Sequence, residues 1–365
     1  MQNFVFYILL LCASCLGSIA FISRLIPALK NHNLLDSPNQ RSSHTVSTPS
    51  MGGITFIVAS ILALFIFRID VNIKYGLSLI IVLGLLGLWD DLRDSSPKLR
   101  LLIELFISVG LTYLGYSFLP VFSMIGLENL PFWLEIILNA ILMIGLMNAF
   151  NLIDGIDGLA GLVSLINMTT YTVLFFLIKD FEFALILCIG LGAVLGFLLF
   201  NFQPAKIFMG DSGSLLLGGL AILCSLQISK GGSTNYSIIA LSTMILPAFD
   251  MIRLFIGRFL VNKSPMTADK NHYHHIMLLG FKQHKYSTLF ISGCHLLFIL
   301  LSIPVSNVLP PISALIVMLF IAIFIQGFGY IILLFNSAQK LKKLAKTEKK
   351  LLHIAPELKA FHHER

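Results

Sequence analysis

The stretch NAFNLIDGIDGLAG, from Asn148 to Gly161, holds two aspartates three residues apart, Asp154 and Asp157, between two runs of almost pure hydrocarbon side chains. At that spacing the carboxylates share one helical face, and Gly155 and Gly158 leave the backbone open to close approach by a ligand. Three more aspartates stand in comparable places. Asp90 and Asp91 end one apolar run, in WDDLRDSSPKLR, and Asp211 precedes another, in NFQPAKIFMGDSGS. Asp90 and Asp91 are adjacent and cannot point the same way on a helix, so they have different jobs. Asp211 precedes Ser-Gly-Ser and taken alone could be a mere helix N-cap. Five such carboxylates gathered on one face would repel unless a cation lay among them. Hard oxygen donors with no thiolate nearby suit Mg²⁺, or Mn²⁺, over zinc. Mg²⁺ prefers to share its ligands with substrate phosphate, so the set points to phosphoryl chemistry.

Basic residues in the polar segments agree. Arg41 lies in DSPNQRSSHTVSTPSMGG, Lys98 follows the Asp pair, Arg258 ends an apolar run, and His272, His274 and His275 form HYHH in SPMTADKNHYHHIMLLG. All could hold pyrophosphate oxygens. A His-x-His-His run could also bind zinc, but no cysteine or carboxylate at fixed spacing completes a tetrahedral set. Anion binding beside the acidic site is the preferred reading, with a solvated loop as the plain alternative.

The elements that must position these residues are membrane helices. Of 365 residues, 57% are hydrophobic and only 12% charged, against about a quarter charged in soluble domains. Apolar runs near 4–23, 51–67, 76–89, 101–119, 132–150, 159–178, 183–200, 212–228, 237–256, 288–303 and 312–335 predict an all-α polytopic membrane protein with about eleven spans. Residues 1–335 then form a single transmembrane catalytic domain. Residues 336–365 form a basic tail that mixes Lys with Leu at helical spacing, as in a surface-lying amphipathic helix. The first run has no Lys or Arg before it and no small-x-small site after it, which predicts a retained helix rather than a signal peptide. Cys12, Cys15, Cys188, Cys224 and Cys294 all fall within spans and read as packing residues.

Charge sets the orientation. Alternate loops hold 21 and 4 of the Lys and Arg residues, so the richer side is expected to be cytoplasmic, with the amino terminus outside and the carboxyl terminus inside. The net charge of +7 is thus a topology signal and an attraction to anionic lipid; nothing in it requires nucleic acid. All five polar segments fall on the predicted cytoplasmic side. An ion pathway wants acids at mid-membrane, whereas chemistry on a soluble substrate wants them at the interface. Glu104, Glu135 and Asp250, inside or near spans, are what a cation-coupled transporter would use, and they keep that rival reading in view.

DSPNQRSSH…P…GG, the DD after a span, NAFNLIDGIDGLAG, NFQPAKIFMGDSGSLLLG and DKNHYHHIMLLGF occur in that order from Asp36 to about Phe281. In these motifs the chain resembles the polyprenyl-phosphate N-acetylhexosamine-1-phosphate transferases, glycosyltransferase family 4, and most closely its WecA- and TagO-like branch. The resemblance implies transfer of N-acetylhexosamine-1-phosphate, GlcNAc-1-phosphate foremost, from a UDP-sugar to undecaprenyl phosphate. The products would be undecaprenyl-diphospho-sugar and UMP, the initiating step of a cell-surface glycan such as a cell-wall polymer or an O-antigen of lipopolysaccharide. It implies a bacterial cytoplasmic membrane location with the active site on the cytoplasmic face, and it leaves room for a homodimer. By the family pattern Asp211 would be the principal Mg²⁺ ligand and Asp91 a second. Asp90 would act on the lipid phosphate as base or positioning group. Asn151, Asp154, Asp157, Asn201 and Phe208 would line the nucleotide pocket. Arg41, His44, Lys98, Arg258, His272, His274 and His275 would hold phosphates or the amino sugar. HYHH follows the WecA-type pattern and lacks the three consecutive histidines of MraY-like proteins, which argues against a UDP-MurNAc-pentapeptide substrate. Ser42 stands where many WecA-type relatives carry a basic residue, so the identity of the sugar stays open.

Overall fold

The computed structural model describes residues 2–36, 46–93, 95–231, 233–262, 271–332 and 334–335. It is a helical bundle. In chain order come α1 (Gln2–Asn31), β1 (Leu35–Asp36), β2 (Thr48–Pro49), α2 (Ile54–Ile66), α3 (Val71–Arg93), α4 (Pro97–Tyr113) and α5 (Leu119–Met124). They are followed by α6 (Phe132–Asn151), α7 (Leu159–Leu177), α8 (Phe181–Asn201), α9 (Gly210–Gly231), α10 (Thr234–Leu260), α11 (Tyr273–Phe281) and α12 (His284–Val308). A last helix, α13, covers Pro311–Ile332. The only strand pairing among the described residues is the two-residue antiparallel pairing of β1 with β2.

Nine of these helices, α1, α3, α6 to α10, α12 and α13, are long and apolar enough to cross a membrane. The two remaining expected spans, 51–67 and 101–119, correspond to α2 and α4, of 13 and 17 residues. At 1.5 Å per residue these are about 20 and 26 Å long, short of the ~30 Å hydrocarbon core. Helix α4 ends at Tyr113, before the end of the expected run at 119, where Gly115 turns the chain at φ +79. Pro97 at the first helical position, with the Ser96 hydroxyl accepting from the Leu99 amide at 3.2 Å, starts α4.

Helix α9 is the axis of the bundle. It is buried along nearly its whole length and packs against α3, α6, α10, α2 and α7. Apolar all round, it is the kind of helix that other helices must surround. On the periphery, α1 lies along α8, where Gly192 and Gly196 face Ser14 and Ser18. The two hydroxyls donate to Ile189 O at 2.7 Å and Ala193 O at 2.9 Å. Small residues at that spacing let two backbones meet without a clash.

A second tie lies mid-bundle. Pro247 inside α10 leaves the Thr243 carbonyl without its helical donor. Asn167 of α7 donates to that carbonyl at 3.5 Å, and His295 of α12 reaches the Asn167 Oδ1 at 2.7 Å. Tyr171 hydrogen-bonds both Thr243 and Ser225. Four helices, α7, α9, α10 and α12, are thereby pinned to one another.

Candidate active site

The site is built on the start of α9. Gly210 opens this helix at φ +75, a left-handed conformation that favours glycine, and a Cβ there would lie 2.5 Å from Asp91 Oδ2. The Asp211 amide donates to Asp91 Oδ1 at 2.8 Å and the Ser212 amide to Asp91 Oδ2 at 3.1 Å. The Gly210 amide donates to the Asp154 carboxylate. Three successive orphan donors of the helix start are thus met by carboxylates from α3 and from the α6–α7 loop, and the helix dipole favours both. Asp211 therefore does not cap its own helix, and its side chain is left for other work.

That side chain faces Asp90, near enough for the two carboxyls to hydrogen-bond. Beside both stands Arg100, whose Nη1 is 3.3 Å from Asp211 Oδ2 and 3.7 Å from Asp90 Oδ2. Asn151 donates to Asp211 Oδ1 and to the Ser214 hydroxyl, both at 2.7 Å. Asp90 Oδ1 accepts from the Ser95 amide at 2.5 Å. The two adjacent aspartates do point apart. Asp90 faces Asp211 and Arg100, and Asp91 faces the α9 amides.

The loop between α6 and α7 supplies the next layer. Burial first, and then the charges of Asp211, Asp91 and Asp157, push the Asp154 carboxyl up to about 7. Asp157 turns away from this cluster. Its Oδ1 is 3.0 Å from His284 Nδ1 and its Oδ2 accepts from the Ala205 amide at 3.1 Å. Asn201 is buried, with Oδ1 accepting from the Gly158 amide at 3.0 Å and Nδ2 donating to Ile207 O at 2.9 Å. Phe208 is stitched by its backbone, donating to Pro49 O and accepting from the Gly52 amide, both at 2.8 Å. Asp157, Asn201 and the Phe208 backbone thus tie loops together, beside the pocket-lining role that the family resemblance implies for these residues. The openings expected over Gly155 and Gly158 are filled. A Cβ on Gly155 would run into His274, and one on Gly158 would lie 2.8 Å from the Phe202 ring.

The histidines form a layer on that loop. The His272 and His274 rings stack at 5.6 Å, and His274 and His275 lie 4.3 Å apart. His272 Nδ1 is 3.1 Å from Asp250 Oδ2, and Asp250 also accepts from the Tyr273 amide at the start of α11 and from Arg253 at 2.6 Å. Asp250, a suspect for ion conduction in the sequence, is fully engaged in anchoring the histidine helix. Burial, then His275 and His272, push the His274 pKa down to about 3. A neutral ring offers a phosphate a hydrogen bond but no charge. Arg258 is buried near the Phe255 ring at 6.0 Å, and Lys98 is exposed in the first turn of α4. Arg41, His44 and the tail 336–365 lie outside the described residues.

In the sequence, Arg100 reads only as a topology charge, Glu104 only as a residue that a transporter would use, and Asn148 has no role of its own. Arg100 Nε bonds Glu104 Oε1 at 3.2 Å, and Nη2 bonds Asn148 Oδ1 at 3.3 Å. The available signal was the i, i+4 spacing of Arg100 and Glu104, which puts an ion pair on one helix face. Among the described residues no three His, Cys, Asp or Glu side chains enclose an ion by themselves. The facing carboxyls of Asp90 and Asp211 still suit Mg²⁺, which takes one or two carboxylates and fills its sphere with water and phosphate oxygen.

Residues 73–229, from α3 to α9, match the model of glycosyl transferase family 4. The chain is 33% identical over 327 residues, 87% of its own length and 89% of the relative's, to a probable undecaprenyl-phosphate N-acetylglucosaminyl 1-phosphate transferase of Bacillus subtilis (strain 168). It is 26% identical over 289 residues, 73% of its length, to a phospho-N-acetylmuramoyl-pentapeptide-transferase of Staphylococcus aureus (strain bovine RF122 / ET3-1). A relative of the first kind, alike along most of both chains, shows that this membrane protein belongs to glycosyl transferase family 4.

Proposed function

We propose that the chain transfers N-acetylglucosamine-1-phosphate from UDP-GlcNAc to undecaprenyl phosphate, releasing UMP, at the cytoplasmic face of a bacterial inner membrane. The observation that carries this reading is the facing pair Asp90 and Asp211, crossed by Arg100 at the end of a membrane bundle. Such a site suits a reaction between a lipid-borne phosphate and a nucleotide-borne one. An oxygen of the lipid phosphate attacks the phosphorus that carries the sugar. The bond from that phosphorus to the oxygen bridging it to UMP breaks, and UMP leaves with the electron pair. The attacking phosphate is already largely ionised near neutral pH, its second pKa being about 6, so little proton abstraction is required.

Catalysis is then mostly positioning and charge neutralisation. Asp211, with Asp90 opposite, would hold Mg²⁺, which when bound neutralises phosphate charge. Asp91, committed to the α9 amides, positions Asp211 rather than taking the second place on the ion. Arg100 is the cation that this chain itself brings to the transferred phosphate. His272 and His275 supply hydrogen bonds from the far side of the α6–α7 loop. The S. aureus relatives raise a muramoyl-pentapeptide donor as the competing substrate.

The test is mass spectrometry of the lipid product made by purified protein from a mixture of UDP-GlcNAc, other UDP-N-acetylhexosamines and UDP-MurNAc-pentapeptide. A single undecaprenyl-diphospho-N-acetylhexosamine, lost when UDP-GlcNAc is left out, is the expected result. A peptide-bearing product would replace this reading with the muramoyl one.

A further inference from the structure

The geometry points to Glu104 as a positioning residue for Arg100; this inference rests on the transferase reading above. Glu104 is 1% exposed, one helical turn beyond Arg100 on α4. Its Oε1 accepts from Arg100 Nε at 3.2 Å and its Oε2 from Asn148 Nδ2 at 2.9 Å. Asn148 Oδ1 in turn accepts from Arg100 Nη2 at 3.3 Å. Arg100, Glu104 and Asn148 therefore form a closed ring in which each pair is bonded.

Two of the three guanidinium nitrogens, Nε and Nη2, are held by that ring. The third, Nη1, is the one that reaches Asp211 at 3.3 Å and Asp90 at 3.7 Å. Without the ring, a guanidinium drawn by Asp211, Asp90 and an incoming phosphate could turn about its own stem and follow whichever charge was strongest. With it, the plane of the guanidinium is fixed from behind. Burial makes the hold strong, because a carboxylate out of water is costly once it loses its partners. Glu104 is too deeply buried to meet a substrate, so its effect on turnover passes through Arg100.

A Glu104→Gln variant keeps the shape but sets an amide NH₂ against either Arg100 Nε–H or the Asn148 NH₂, donor against donor. The test is steady-state UMP release by full-length protein in lipid nanodiscs, for wild type, Glu104→Gln, Arg100→Lys and the double variant. Positioning predicts that Glu104→Gln lowers kcat by ~10-fold or more while KM for the UDP-sugar moves less than ~3-fold. In the Arg100→Lys background, where no Nε remains to be held, the same change costs less than ~2-fold.

Equal costs in both backgrounds, near-normal turnover of Glu104→Gln, or a loss that tracks the apparent unfolding temperature would each overturn the inference. They would leave Glu104 as a tie between α4 and α6. Should Glu104→Gln fail to accumulate, Glu104→Asp, whose shorter carboxylate cannot span both partners, is judged by the same comparison. Wild-type protein that releases no UMP, or an Asp211→Asn variant that keeps turnover, removes the transferase site and this inference with it. Additive costs in an enzyme that does depend on Asp211 remove the inference alone.

Discussion

Asp211 stands at the positive end of α9 without capping it, because Asp91 and Asp154 already take the first three amides. Its carboxyl is thereby free to face Asp90 under Arg100. Asp211→Asn keeps the volume and the Asn151 neighbour but removes the charge. The expected outcome is a fall in UMP release of ~100-fold or more, with protein level and apparent unfolding temperature close to wild type. Near-normal turnover would take Asp211 out of the site. His274 makes a separate prediction. Its pKa is lowered from 6.5 to about 3 in the folded chain, chiefly by burial. Between those values the unfolded chain binds a proton that the folded chain refuses. The neutral ring thus contributes stability that is present above 6.5 and lost as pH falls toward 3, about 2 kcal/mol by pH 5. Unfolding temperatures measured at neutral pH and near pH 5 should fall more for wild type than for His274→Gln. Equal falls would contradict the burial of a neutral ring.

At the scale of the element, the start of α9 is set by one backbone conformation. Gly210→Ala places a methyl group against Asp91 and forces a left-handed φ on alanine. The expected cost is about 1–3 kcal/mol, read as an apparent unfolding temperature lower by a few degrees. Turnover should fall with it, since the displaced Asp91 no longer sets the helix start. Unchanged stability and turnover would show that the helix start does not depend on this contact. Other elements work by the same logic of satisfying backbone groups. Asn167 takes the carbonyl that Pro247 orphans in α10. Asp250 takes the first amide of α11 and fixes His272. Helix ends and helix breaks in this fold are where polar side chains are spent, and the candidate site is the largest such place.

For the molecule as a whole, the helical membrane architecture and the polar segments were legible in the sequence for a simple reason. Charged residues beside long apolar runs have few explanations in a membrane, and Asp90, Asp91, Asp154, Asp157 and Asp211 all stood there. Long-range partnership was not legible. Periodicity cannot show that Asn201 would be used up on Gly158 and Ile207, that His274 would fill the space over Gly155, or that Asp91 would serve α9. Arg100 escaped notice because a basic residue near a span end, here with Arg93 and Lys98, also serves topology. Only its spacing to Glu104 hinted otherwise. The two short helices, α2 and α4, mark the limit of counting spans by hydropathy.

The proposed transfer requires that this end of the bundle bring a lipid phosphate and a UDP-sugar together around a divalent ion. It is tested by UMP release from UDP-GlcNAc, measured with undecaprenyl phosphate and Mg²⁺ each present or omitted. UMP should appear only when both are supplied and vanish on chelation. Release that needs neither, or none at all from folded protein across a panel of UDP-N-acetylhexosamines, would contradict it.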